Sequence, residues 1–180
     1  VQYYGSMNTL FSTQGILAPG TVCGIWPHDM NQATYNFSFG FQRDIGYKTV
    51  LDVAYVGALG RHLLQSVNVN TVPYGTHFTA IDPTTKTALA DNFSRPYPGY
   101  ATINLFEPYS SSSYHSLQVQ GNRRFSRGLQ FGVVWTWSKF MDYVDSDGST
   151  VASYIDRRVW NYGKAGLDRT HIVSLNFLYD

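Results

Sequence analysis

The sequence predicts an all-β fold: an antiparallel up-and-down sheet forming part of a transmembrane β-barrel, with long extracellular loops. Three observations carry that prediction. Apolar and polar residues alternate at period two in several stretches, one hairpin pattern occurs twice, and short turns alternate with long irregular segments. Strands are expected over about 32–43, 48–59, 113–125, 129–140 and 170–179, with long loops over 1–31, 61–111 and 142–168.

From Tyr35 the odd positions read Tyr35, Phe37, Phe39 and Phe41, and the even ones Asn36, Ser38, Gly40 and Gln42. After a turn around Asp44 to Tyr47, Thr49, Leu51, Val53 and Tyr55 alternate with Val50, Asp52, Ala54 and Val56. The pattern returns 80 residues on: Arg43 aligns with Arg123, Leu51 with Phe131, Val53 with Val133 and Tyr55 with Trp135. There Leu117, Val119 and Gly121 alternate with Gln118, Gln120 and Asn122, and Phe131, Val133, Trp135 and Trp137 alternate with Gln130, Gly132, Val134 and Thr136. Directly opposed residues share a face, so odd-numbered apolar sets on both arms require an odd number of loop residues. Three residues fit at Ser126-Arg127-Gly128, with Gly128 where φ must be positive. A last strand from His171 carries Val173, Leu175, Phe177 and Tyr179 on one alternation.

Composition sharpens the class. Charged residues make up 14% against roughly 25% in a typical soluble domain, while aromatics reach 16%. Mean hydropathy is nonetheless −0.22, because Ser, Thr, Asn, Gln and Gly take the place of charge. Neither an acidic disordered segment nor a helical membrane bundle, which needs ~20 apolar residues per span, fits that balance. No basic stretch precedes an apolar run near Val1, so no signal peptide is read there. A net charge of +1 gives no electrostatic case for nucleic acid. Cys23 is the single cysteine, which excludes an intrachain disulfide or a CxxC metal site and leaves an inert thiol as the plain reading.

The two faces decide between membrane and water. The face expected to meet lipid carries Phe37, Phe39, Phe41, Leu51, Val53, Tyr55, Leu117, Val119, Phe131, Val133, Trp135 and Trp137. The face expected to line a lumen carries Asn36, Ser38, Gln42, Asp52, Gln118, Gln120, Asn122, Gln130 and Thr136. Small amides and hydroxyls in place of Lys, Glu and Arg suit a crowded wet lumen better than an open aqueous surface. Aromatics gather toward the strand ends, where interfacial girdles belong. From alternation alone, a soluble β-sandwich binding carbohydrate through exposed Trp and Tyr stays open as the alternative.

Five motifs then bring a family into view. Tyr55-Val56-Gly57-Ala58-Leu59-Gly60-Arg61-His62-Leu63 resembles the Y-V-G-x-x-G-R-x-L motif of Oar-like TonB-dependent receptors. Tyr114-His115-Ser116-Leu117-Gln118-Val119-Gln120 and Asn122-Arg123-Arg124-Phe125-Ser126-Arg127-Gly128-Leu129 resemble the strand and turn that follow in them. Trp135-Thr136-Trp137-Ser138-Lys139 and Asp168-Arg169-Thr170-His171 resemble a later strand end and strand start, in the family's order. The resemblance covers about 120 residues, from near Gln32 to the end of the sequence, and leaves 1–31 and 72–108 without a matching motif. It implies an internal piece of an outer-membrane barrel of about 22 strands, partnered by outer-membrane lipid. In that family a carboxypeptidase-regulatory-like domain and a plug precede the barrel, and a TonB-type energy-transducing complex drives uptake. A non-transporting surface barrel or adhesin shares every feature seen in this stretch.

No reactive constellation emerges, so no enzyme and no cofactor are expected. His28, His62, His77, His115 and His171 show no H-x-x-x-H or H-E-x-x-H spacing. Asp145-Ser146-Asp147-Gly148 resembles the start of a calcium loop, but Asp142 is out of phase and no Glu closes the loop, so a polar turn is the plainer reading. Asp168-Arg169 is read as an ion pair or strand-end cap. Asn36-Phe37-Ser38 and Asn92-Phe93-Ser94 match a glycosylation sequon, and the first, which lies mid-strand, is read as chance.

Overall fold

The computed structural model describes residues 20–28, 30–151 and 156–180. Eight strands form one sheet: β1 (Gly20–Ile25), β2 (Ala33–Gly46), β3 (Thr49–Asn68), β4 (Tyr100–Ser126), β5 (Leu129–Asp142), β6 (Thr150–Val151), β7 (Gly163–Lys164) and β8 (His171–Tyr179). Three single-turn helices, α1 (Thr76–Thr79), α2 (Asp91–Ser94) and α3 (Arg157–Asn161), lie in the connections. The long strands run β2-β3-β4-β5-β8, every neighbouring pair antiparallel. No helix among the described residues is long and apolar enough to cross a membrane. No second sheet lies over either face among the described residues, so the layer a sandwich needs is missing.

The repeated hairpin is real in register as well as in sequence. Phe41 opposes Val53, and Gly121 opposes Val133, each number greater by 80. The turn differs from the three-residue loop expected. Ser126 opposes Leu129, so only Arg127 and Gly128 turn the chain, at φ 53° and 73°. Two positive-φ residues make the primed turn that matches strand twist. The odd residue that parity demands sits instead in a β-bulge between Arg123 and Ser126. The first hairpin does the same, with Tyr47 and Lys48 at φ 54° and 61° and its bulge between Asp44 and Gly46. A bulge leaves no composition signal, which is why counting residues misplaced it.

The expected loop over 61–111 is corrected more deeply. β3 continues to Asn68 and β4 begins at Tyr100, so only 69–99 is an excursion. Alternation fails to show these upper halves because the register slips twice, between Gly60 and Leu63 and between Leu63 and Gln65. His62 enters the left-handed region at φ 56°, and Pro108, which has no N–H for a ladder, lies in the second slip. Around 1–31, β1 pairs parallel with β4, while residues 1–19 lie outside the described residues. Within 142–168, β6 pairs parallel with β3 and β7 antiparallel with β5.

Burial concentrates at this upper end. Val67, Val151, Tyr143 and Ala165 are buried there together with Gln65, Ser66, Asn70 and Glu107. Gln65 and Glu107 oppose each other and share a 2.9 Å hydrogen bond. Asn70 closes the 69–99 excursion: its Nδ2 donates to the carbonyls of Tyr97 and Tyr100 at 3.0 Å, and its Oδ1 accepts from the Tyr97 amide at 2.9 Å. Lower down there is no dry core, and Phe39 and Phe177 are 76% and 73% exposed.

Candidate functional site

The functional feature is the pair of faces that the register assembles. On the odd face Arg43, Leu51, Gly121, Val133 and Leu175 form one row across five strands. The next row is Phe41, Val53, Val119, Trp135 and Val173, followed by Phe39, Tyr55, Leu117, Trp137 and His171. Phe131 opposes Phe177 one row nearer the turns, and Phe37 opposes Gly57 nearer the upper end. All twelve residues expected to meet lipid thus share this face. A Cβ at Gly57 would strike the Phe37 ring, so the glycine lets the aromatic lie flat on the sheet.

Imidazoles join the aromatics at the upper rows. Tyr55 Oη and His115 Nδ1 are 2.7 Å apart with their rings stacked at 21°, and Phe37 packs 6.2 Å from the same imidazole. Trp135 stacks on His171 at 6.0 Å and donates its indole N–H to Nδ1 at 3.4 Å. These pairs satisfy polar atoms within the sheet surface, as an aromatic belt between apolar and wet regions requires.

The nine residues expected to line a lumen share the even face. Gln42, Asp52, Gln120 and Val134 form one row, and Asn122, Gly132 and Asn176 part of another. A side chain at position 132 would collide with the Asn176 and Asn122 carboxamides, so Gly132 makes room for them. A hollow of about 250 Å³ lies against this face, lined by Gln42, Val50, Asp52, Gln120, Asn122 and Arg124. The hollow is polar and shallow, which suits contact with water or with another polar surface.

The sequence motifs prove to be anchors. Gly60 has no room for a side chain beside Ser112 and Leu63, and Arg61 bridges two carbonyls, those of Gly60 at 2.8 Å and Ser112 at 3.2 Å. Ser116 donates to the Val56 carbonyl at 3.3 Å. Asp168 caps a strand end, although its ion-pair partner is Lys164 at 2.9 Å and not Arg169. Its other oxygen accepts from the Phe140 amide at 2.6 Å, which ties the start of β8 to β5. The lysine and that amide hold the Asp168 carboxyl below its ordinary value. Asp142 is pushed the other way, chiefly by burial and then by the charge of Asp145.

Asp142, Asp145 and Asp147 border a second hollow of about 350 Å³. Asp145 is used locally, accepting from the Gly166 amide at 2.7 Å. Among the described residues no group of three His, Cys, Asp or Glu side chains is placed to hold a metal. Cys23 is exposed on β1. Sequence reasoning missed a hollow of about 540 Å³ at the upper end, where Trp26 and Tyr109 flank Glu107. Its only signal was the Asn68-x-Asn70 pair, a local hydrogen-bonding pattern that marks where a strand stops.

An open sheet with one exposed apolar face, one polar face, short turns at one end and long connections at the other is the construction of a membrane β-barrel wall. The chain belongs to the outer membrane β-barrel domain family, whose model matches residues 4–180. No curated protein and no solved structure matches the chain. The protein is therefore an all-β component of the bacterial outer membrane.

Proposed function

We propose that this barrel wall serves uptake: it is part of an Oar-like TonB-dependent receptor whose substrate crosses the lumen. The even face carries the reading. A row of Gln42, Asp52 and Gln120 beside Asn122 and Asn176 offers carboxamides and a carboxylate over several strands, which fits a polar plug that must slide or unfold past it. The five motifs support the same family, because each is now tied to a structural anchor on β3, β4, β5 or β8. In this reading the odd face meets lipid, the two tight turns lie in the periplasm, and the 69–99 and 143–168 segments face outside. This reading calls on no covalent chemistry and no cofactor. The TonB-type complex acts through parts of the protein beyond these residues.

The test uses the full-length gene and protein. A plug should be encoded ahead of the barrel, and the purified protein should capture the periplasmic domain of the host's TonB-type transducer. A complete gene with no plug, or failure of that capture, would replace transport with a surface barrel or adhesin.

A further inference from the structure

The row of the odd face just above the aromatic girdle changes character. His115 opposes Lys139, and on β4 and β5 both lie two residues above the row of Leu117 and Trp137. The Ser138 amide donates to the Thr170 carbonyl at 3.0 Å, which extends the β5–β8 pairing one step past Trp137 and His171. Arg169 thereby falls beside Lys139 on the same alternation. Three cationic or protonatable side chains thus stand on three adjacent strands, which are about 4.8 Å apart.

All three are exposed. Lys139 makes no hydrogen bond or ion pair among the described residues, and Arg169 donates only to the Asp168 backbone carbonyl at 3.0 Å. The nearest carboxylate, Asp168, is already engaged by Lys164, Thr170 and the Phe140 amide. His115 meets Tyr55, not an acid. Cation is therefore left over directly above the apolar and aromatic rows of Phe41 and Phe39.

Depth decides what neutralises it. From Leu129 at the turn to Lys139 is about ten residues of tilted strand, roughly 25 Å, which is the height of the apolar band. The row therefore stands at the headgroup level, directly above Tyr55, Trp137 and His171. We propose that His115, Lys139 and Arg169 form a binding site for the phosphate groups of a phosphorylated glycolipid in the outer leaflet, of the lipid A type. Charge complementarity selects an anionic headgroup, the row's breadth suits a phosphomonoester bridged by two cations, and Trp137 packs against the acyl region below. The proposal rests on the reading that the odd face meets lipid and the long segments lie outside.

The full-length receptor in detergent, titrated with bis-phosphorylated lipid A and followed by native mass spectrometry, tests it. Each cation removed should weaken binding about fivefold, so K139Q/R169Q should lose about 25-fold. Lys139→Arg should bind like the wild type. If the double variant does not fold, K139Q and R169Q singly should each show the fivefold loss. Lipid A stripped of phosphate should bind all variants equally weakly. Unchanged affinity in the variants would overturn the site, and equal affinity for phosphatidylglycerol would overturn the choice of glycolipid. Val133→Arg separates the two failures. If it unfolds at the wild-type urea concentration, the face reading itself is wrong; if it unfolds earlier while K139Q/R169Q binds lipid A normally, only the phosphate site is.

Discussion

Val133 and Gln118 lie on opposite sides of one sheet, three residues apart along the strand register, yet they should respond oppositely to charge. Val133→Arg or Leu51→Arg places a guanidinium in the apolar band and should cost roughly 2–4 kcal/mol in the assembled barrel. Gln118→Arg meets other polar groups and water and should cost far less. Equal losses in urea-unfolding of the full barrel in lipid would show that the faces are misassigned. Asp168 makes a second residue-scale case. Its carboxyl is held low by Lys164 and the Phe140 amide, so its stabilisation is complete above the ordinary carboxyl value near 3.8 and fades as pH falls below it. Hydrogen exchange of the Phe140 amide should accelerate as pH drops below about 4 relative to neighbouring β5 amides, after correction for intrinsic rates. Asp168→Asn should remove that dependence. These residue identities were legible in the sequence because period-two alternation sets the face of each side chain without any knowledge of partners. The partner of Asp168 was not legible, since Arg169 is its direct neighbour in sequence while Lys164 lies four residues back, and only the turn through Ala165 and Gly166 brings the lysine round.

Strands and turns obey a different logic, and the sequence exposes it less evenly. The lower halves of β3 and β4 were readable as strands because their faces differ in polarity. The upper halves were not, because two opposed bulges shift the alternation and Ser110 to Ser113 erase the contrast between faces. What holds those halves together is local pairing and buried polar contacts, of which Asn70 is the clearest. Asn70→Ala removes its bonds to Tyr97 and Tyr100 and strands buried backbone groups, at about 2–3 kcal/mol. The effect should stay in the 69–99 excursion, read as faster cleavage there by added protease with unchanged melting of the barrel strands. In intact cells the wild-type protein should be cut within 69–99 or 143–168, while the 61–68 and 100–111 strands resist and the turn at Arg127-Gly128 is untouched. Cleavage confined to that turn would invert the topology.

At the scale of the whole molecule the sheet is unfinished, and this gives the sharpest expectation for the chain by itself. β2 and β8 are its edges, and along each a full row of backbone N–H and C=O groups faces no partner among the described residues. β8 carries no Lys, Pro or bulge of the sort that blunts an edge in a soluble protein. The odd face leaves Phe39, Trp137, Leu175 and Phe177 open to solvent, and no segment among the described residues covers them. Folding the sheet on itself the other way is no remedy, because Gln42, Gln118, Gln120 and Asn122 would then be buried with their amides unpaired. The chain of 180 residues expressed alone should therefore aggregate in plain buffer by edge pairing and face stacking. Detergent should disperse it without giving the heat-resistant, compact form of a closed barrel, which needs at least about eight membrane-spanning strands, whereas only the five long strands β2, β3, β4, β5 and β8 run side by side here. A sharp monomer peak in buffer with cooperative unfolding would contradict this, since it would require the apolar face to have found a covering layer. Restoring the strands that flank β2 and β8 in the full protein should abolish the aggregation, because it removes both edges at once and turns the apolar face toward lipid.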